Sequence, residues 1–335
     1  MKITIIGASG HSAAAIQAVE KFDDVKISAY CPSFEGEAMA RLEKAFSELG
    51  VSPAKYDDWQ KMLDDEAPDI VIVDGIFSSH AKMAEYALNK NINVYCEKPA
   101  ATETGELADL IKASLNSKGL YWGMFTARYE SWFYTAKKLV EQGAIGKIRL
   151  LNGQKSYKLG KRQEFYKSAK TYGGTIPWVA IHSLDMIFWL TGLKCKSVYA
   201  QQSSACNNGH GDLETTALIN LELEDNVLAS VTADYYRPDS AVTHGDDRIR
   251  VVGTEGVLEV RDSQVYLINR QNDGTSYISQ HPLETLIFED FINAVNGGGK
   301  NHITAKSSLY SAYVALMARQ SCFENKKLDL NEVVL

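Results

Sequence analysis

Cysteine is scarce in this 335-residue chain: there are five, at 31, 96, 195, 206 and 322. Their number is odd, the nearest two are eleven residues apart and no CxxC occurs, so neither a disulfide framework nor a zinc knuckle organises the fold. His210 and Asp212 stand two apart in NNGHGD without a third ligand at suitable spacing, and no metal site is read there. No apolar run approaches the roughly 20 residues of a membrane-spanning helix. The opening MKITIIGASG is apolar but soon reaches glycines; it is too short for a signal peptide and fits a buried first strand, so the expected compartment is the cytoplasm. Neither sign of charge dominates. Lys plus Arg number 35 against 42 Asp plus Glu, a net charge of -7 that offers no general attraction to nucleic acid or anionic membrane. The basic run KLGKRQ (158–163) is short and reads as a solvated loop or a pocket rim.

What is present is a change of period part-way along the chain. Up to about residue 123, strand and helix alternate: KITIIG, HSAAAIQAVEKF, VKISAY, EGEAMARLEKAFSELG, DDWQKMLDDEA, PDIVIVDG, SSHAKMAEYALNKN, NINVYCEKP, TETGELADLIKASLNSKG and LYWGMF. The strands are near-continuous Ile and Val, as in a parallel sheet covered on both faces. Repeated strand–helix units predict a doubly wound, Rossmann-like α/β domain over 1–123. RYESWFYTAKKLVEQGAIG (128–146) then reads as one helix. After it the pattern becomes period two, clearest in LETTALINLEL (213–223), where Leu213, Thr215, Ala217, Ile219, Leu221 and Leu223 share a face. Residues 124–335 are therefore expected to form a second α/β domain with a large open, mostly antiparallel sheet. Helices are expected at 283–296 and 305–323.

IIGASGHSA (5–13) follows a strand and opens a helix, the context in which glycines let a diphosphate approach the backbone and the helix N-terminus. Gly7 and Gly10 are present, with Ser9 and Ser12 where a GxGxxG would carry glycine. The turn reads equally as GxxGxxA, and a tight turn without ligand is the competing reading. The second strand ends Ala29–Tyr30–Cys31–Pro32–Ser33, without the acid that usually meets the adenosine ribose. Ser33 suits either a ribose hydroxyl or a 2′-phosphate, which leaves NAD and NADP both open.

Two further stretches carry proton chemistry. NINVYC runs into Glu97–Lys98–Pro99, which places a lysine at the carboxyl end of a parallel strand, on the side where ligands bind. Burial beside a cofactor would lower its pKa towards a useful range, whereas a surface lysine paired with Glu97 is the plainer reading. GGTIPWVAIHSLD (173–185) predicts a helix of about fourteen residues, with Pro177 in its first turn and Gly192 as its stop. Trp178, His182 and Asp185 fall on overlapping parts of one side. The histidine either moves a proton or is a core residue satisfied by Asp185.

The glycine turn, EKPAA (97–101), FTARYESWFYTAKKLVEQGAIGKI (125–148), the GG followed by His182 and Asp185, and RVVGTEGVLEV (250–260) occur in an order and spacing that resemble the Gfo/Idh/MocA family of NAD(P)-dependent oxidoreductases. The similarity covers nearly the whole chain. It implies a Rossmann domain, then an α/β domain whose open sheet often makes oligomer contacts. It also implies hydride transfer between a nicotinamide cofactor and a sugar, inositol or related polyol. By resemblance, the lysine of EKP and the histidine of the GG…H..D segment line the catalytic pocket, which here means Lys98 and His182. That family commonly has aspartate four residues before the histidine; this chain has Trp178.

The expected roles are His182 as general acid/base and Lys98 as its hydroxyl-orienting partner, with the two roles exchangeable. Expected cofactor contacts are Gly7, Ser9, Gly10, His11, Ser12, Cys31, Ser33, Glu97 and Lys98. Expected substrate contacts are Arg128, Tyr157, Trp178, His182 and Asp185, without a metal. A homo-oligomer is expected as well. The alternative from another class is a non-catalytic dinucleotide-binding protein with a regulatory or scaffolding role. A third reading keeps NAD bound for a reaction with no net redox change.

Overall fold

The computed structural model describes residues 1–277 and 281–330. The chain forms two compact units. Met1–Met124 with Thr285–Leu309 make the first, and Phe125–Glu284 with the segment from Tyr310 onward make the second.

The first unit is built on six parallel strands: β1 (Lys2–Ile6), β2 (Lys26–Cys31), β3 (Ala54–Lys55), β4 (Ile70–Val73), β5 (Asn93–Cys96) and β6 (Tyr121–Gly123). Between them run α1 (Ser12–Val19), α2 (Ala40–Glu48), α3 (Trp59–Glu66), α4 (His80–Asn89) and α5 (Thr104–Asn116). The sheet order is β3-β2-β1-β4-β5-β6. The order reverses between β1 and β4, the topological switch point where the carboxyl ends of the strands leave a crevice. The IVIV of β4 is fully buried, as its unbroken apolar run requires.

One detail differs from the sequence reading. EGEAMARLEKAFSELG was expected to be helical throughout, but α2 begins only at Ala40. Glu37 turns back to accept the backbone N–H of Ser33, which holds the preceding residues out of the helix. The cap of α5 is Glu103, between Thr102 and Thr104, and its N–H donates to the Glu106 carboxylate.

The second unit contains α6 (Ser131–Glu141), β7 (Ile148–Tyr157), α7 (Ala169–Tyr172), α8 (Ile181–Thr191), β8 (Cys195–Ser203), β9 (Thr216–Leu223), β10 (Leu228–Asp234), β11 (Gly245–Gly253), β12 (Gly256–Arg261), β13 (Gln264–Asn269), β14 (Asp273–Tyr277) and β15 (Leu328–Asp329). Its nine-stranded sheet has the order β14-β13-β12-β11-β7-β10-β9-β8-β15. The strand pairs are antiparallel except β7 with β10, which is parallel. One face alternates to full burial through Ala217, Ile219, Leu221, Ala229, Val231, Ile249 and Val251, and α8 packs on β7. The approach is close: a Cβ on Gly153 would fall 3.0 Å from the Cβ of Ser183.

The second domain expected over 124–335 is not one continuous stretch. Residues 285–309 cluster with the first unit, because Phe288 and Phe291 pack their rings on Tyr95 at 4.9 and 5.4 Å. Nor is 128–146 one helix. A short 3₁₀ turn, Thr126–Tyr129, precedes α6, and Gly143 and Gly146 lie in the turn after it.

Candidate active site

The glycine turn between β1 and α1 lies against the end of β4. Gly7 has φ +85°, and a Cβ there would fall 2.4 Å from the Cα of Gly75, so only glycine fits both the conformation and the gap. The backbone donors of the turn converge on carboxylates. His11 N–H donates to Asp74 Oδ1 and Ser12 N–H to Asp74 Oδ2, both at 2.9 Å. Ala8 N–H donates to Glu37 Oε1 at 2.9 Å, and the Ser9 hydroxyl joins it at 2.5 Å. The other oxygen of Glu37 accepts the N–H and hydroxyl of Ser33, at 2.6 and 2.9 Å, and Ser33 Oγ in turn accepts the Ile76 N–H. Gly10 makes room for this arrangement, since a Cβ there would lie 2.3 Å from Asp74 Oδ1 and 2.8 Å from Glu97 Oε2. Cys31 is wholly buried beside the turn, and burial pushes its thiol up to about 12.

Behind the turn lies a tight group of ionisable residues. Glu97, at the end of β5, is buried and pairs with His11 Nδ1; its Oε1 accepts the Lys98 N–H and sits 3.7 Å from Lys98 Nζ. Lys98 itself is 3% exposed, so it is no surface lysine. Burial pushes the Glu97 carboxyl up, but the charges of His11 and Lys98 outweigh that effect and hold it at about 2. The Glu97 charge raises His11 in return. Asp74 is fully buried, and burial, followed by the Glu97 charge, raises it to about 7. His80 is fully buried with its ring nitrogens 2.8 and 2.9 Å from the carbonyl oxygens of Pro99 and Gly75; burial lowers its pKa.

In the second unit, the segment carrying His182 does not start as an ordinary α-helix. Residues Ile176–Ala180 form a wide π turn that runs into α8, which Gly192 ends with φ +70°. Such turns alter the angular spacing of side chains and recur at functional sites. Thr175 anchors the entry, its N–H donating to Glu214 Oε2 and its hydroxyl to the Glu214 carbonyl. Trp178 is buried and meets Tyr166 edge-on at 6.0 Å, in an aromatic group with Phe165 and Tyr172.

Asp185 does not serve the imidazole in the way the core reading of His182 required. Its two oxygens take the Arg128 guanidinium at 2.9 and 2.5 Å, and Ser311 Oγ donates to Oδ1 at 2.8 Å. Arg128 and Asp185, both expected at the substrate, thus meet each other in the core. His182 and Ser183 instead line a cleft with Gln154, Lys155, Asp247 and Arg248. Lys155 Nζ lies 2.6 Å from Asp247 Oδ2 and 4.7 Å above the Tyr157 ring. Burial lowers the lysine pKa, but Tyr157 and Asp247 more than offset it and keep the ammonium charged.

Two family models account for most of the chain. Residues 1–123 match the oxidoreductase family with an NAD-binding Rossmann fold, and 133–259 match the GFO/IDH/MocA C-terminal domain. The chain belongs to the Gfo/Idh/MocA family. It is an NAD(P)-dependent dehydrogenase of that family, in keeping with the NAD-binding oxidoreductase model over residues 1–123. Among similar Gfo/Idh/MocA proteins, inositol 2-dehydrogenase of Salmonella paratyphi B is 25% identical over 92% of this chain and 89% of its own. Myo-inositol 2-dehydrogenase of Thermotoga maritima is 24% identical over all of both chains. A solved Thermotoga maritima structure, named a "putative oxidoreductase", is 42% identical, covers 98% of this chain and 100% of its own, and has a TM-score of 0.95.

The glycine turn suits the diphosphate of the cofactor by its place, at a strand–helix junction beside the switch point between β1 and β4. Sequence reading missed Glu37, Asp74 and Arg41, whose Nη1 lies 3.5 Å from the Gly10 carbonyl. It likewise missed Gln154 and Ser183 in the cleft. The only signal for Glu37 and Asp74 was an acid four residues after Ser33 and another at the end of an otherwise apolar strand.

Proposed function

We propose that this dehydrogenase moves hydride between the nicotinamide ring and a carbinol carbon of a cyclic polyol or sugar. The observation that carries the substrate class is the narrow cleft at His182, whose walls set the polar Gln154, Lys155, Ser183, Asp247 and Arg248 beside Ala127, Phe133 and Met186. A mixed wall of this kind suits a ring that presents apolar C–H faces and a rim of hydroxyls. The inositol 2-dehydrogenases, similar over nearly the full chain, support the same class.

In this reading the bound cofactor supplies the hydride acceptor or donor. His182 takes the hydroxyl proton as the carbinol is oxidised and returns it in reduction, the task to which an imidazole is suited near neutral pH. Lys98 takes the role the resemblance gives it, orienting a substrate hydroxyl and stabilising the charge that develops there. Trp178 cannot relay a proton; it is buried against Tyr166 in the aromatic group and fills the space that an acid commonly takes in the family.

A panel of inositols, aldoses and their keto forms, followed through reduced-nicotinamide absorbance, tests the proposal. Turnover should fall by roughly 10²–10⁴-fold in both Lys98→Ala and His182→Ala, the range for loss of a general acid–base group, while NADH binding persists. Cofactor binding without turnover of any substrate would instead favour a regulatory protein, and product formed without net redox change would favour the third reading.

A further inference from the structure

We infer that Glu37 is the group that reads the adenosine ribose, and that it makes the enzyme selective for NAD over NADP. The inference rests on the dinucleotide reading of the glycine turn. The strand that ordinarily ends in the ribose-binding acid ends here in Cys31, Pro32 and Ser33. An acid nevertheless occupies the place. Glu37 comes from the loop before α2 and turns back over the end of β2. There its carboxylate bridges the two elements between which the ribose of a dinucleotide lies in this fold.

The bridge is specific. Oε1 accepts the Ala8 N–H and the Ser9 hydroxyl, from the turn, while Oε2 accepts the N–H and hydroxyl of Ser33, from the strand end. Three of these four donors belong to Ser9 and Ser33, whose hydroxyls can rotate, so a ribose diol can replace part of the set without leaving the carboxylate bare. A diol donates two hydrogen bonds to a carboxylate. A 2′-phosphate donates none when ionised, and it brings like charge against Glu37, a juxtaposition that disfavours its binding. Ser33 alone would accept either group, but Ser33 is already committed to Glu37 and, through Oγ, to the Ile76 N–H.

One cation argues the other way. Arg41 stands four residues after Glu37, at the start of α2, with Nη1 3.5 Å from the Gly10 carbonyl, and a guanidinium is a natural partner for a phosphate. Its side chain is exposed and its contact with the turn is long, whereas the Glu37 carboxylate is buried and held by four donors. The buried acid therefore sets the preference.

The test is equilibrium binding of NADH and NADPH to the full chain, read by nicotinamide fluorescence, with wild type, Glu37→Gln and Arg41→Ala. Wild type is expected to bind NADH tighter by on the order of 10²-fold, the equivalent of about 3 kcal/mol. Glu37→Gln should shrink that ratio about tenfold, chiefly by tightening NADPH. Arg41→Ala should leave the ratio as it was. A group that only braces the turn would weaken both dinucleotides in proportion when altered, and an unchanged ratio in Glu37→Gln overturns the assignment. So does a wild-type preference for NADPH, with or without its loss in Arg41→Ala. That wild-type measurement needs no variant to fold. Binding of neither dinucleotide would sink the cofactor reading and the assignment together, and is distinct from a reversed ratio.

Discussion

Arg128 and Asp185 form a forked ion pair in the interior of the second unit, with Nε 2.9 Å from Oδ2 and Nη2 2.5 Å from Oδ1. Both side chains are about 3% exposed or less. The guanidinium also lies over the rings of Phe125 and Trp189, at 5.8 and 5.9 Å. The pair fastens the 3₁₀ turn before α6 to the middle of α8, three residues beyond His182. It therefore acts on the imidazole by fixing the helix that carries it.

Removing one partner leaves the other charge buried without compensation. Asp185→Ala should destabilise the protein by about 3–5 kcal/mol, the usual cost of breaking a buried pair from one side. Urea denaturation with an unchanged m value measures this. A loss below about 1 kcal/mol, typical of exposed pairs, would show that water reaches the pair in solution.

Gly7 offers a second stability test. Alanine at φ +85° enters the left-handed region, which costs roughly 1–2 kcal/mol, and its Cβ would fall 2.4 Å from backbone that no rotamer change can move. Adding the usual penalty of overpacking, Gly7→Ala should lose about 3 kcal/mol or more. It should also weaken NADH binding, because the turn must shift away from β4. A variant as stable as wild type would mean that the β1–α1 turn relaxes freely.

The alternation of strands and helices up to Gly123 was legible because the burial of both faces of a parallel sheet writes unbroken apolar runs into the sequence. The period-two stretches after 147 were legible for the complementary reason, a sheet with one dry face. The rest depends on contacts between residues far apart in sequence. Glu37 and Asp74 reach the glycine turn from 29 and 63 residues away, and Arg128 meets Asp185 across 57. No local pattern records such pairings. Helix spacing put Trp178, His182 and Asp185 on overlapping parts of one side, but the π turn at 176–180 and the pull of Arg128 divide them: Trp178 joins an aromatic group and Asp185 an ion pair. The return of 285–309 to the first unit was hidden because an amphipathic helix does not say which sheet it covers.

The Asp74 carboxyl makes stability depend on pH in a direction opposite to that of acids held ionised by a paired charge. Its pKa rises from 3.8 to about 7, first because burial penalises the charge and then because Glu97 faces it; the Ser12 bonds and His11 oppose the rise. Between those two values the native state keeps a proton that the unfolded chain has released. Stability contributed by Asp74 is therefore greatest below pH 4 and declines as pH climbs to 7, with an upper bound of about 4 kcal/mol for the full shift. Glu97 works the other way. Held at about 2 against an ordinary 4.5, it adds stability above pH 4.5 that is lost as pH falls towards 2, so its contribution is level across the window from pH 5 to 7.5. His11 is raised by Glu97 and loses its stabilising proton as pH climbs through its own native value, while burial lowers His80. Asp74→Asn removes the Asp74 term and leaves a constant loss of one amide acceptor. The stability of the variant relative to wild type should therefore improve by about 1–3 kcal/mol from pH 5 to pH 7.5. Urea unfolding of both proteins at the two pH values reads this directly. Parallel behaviour of the two would show that Asp74 is already ionised at pH 5, its charge fully carried by the His11 and Ser12 amides.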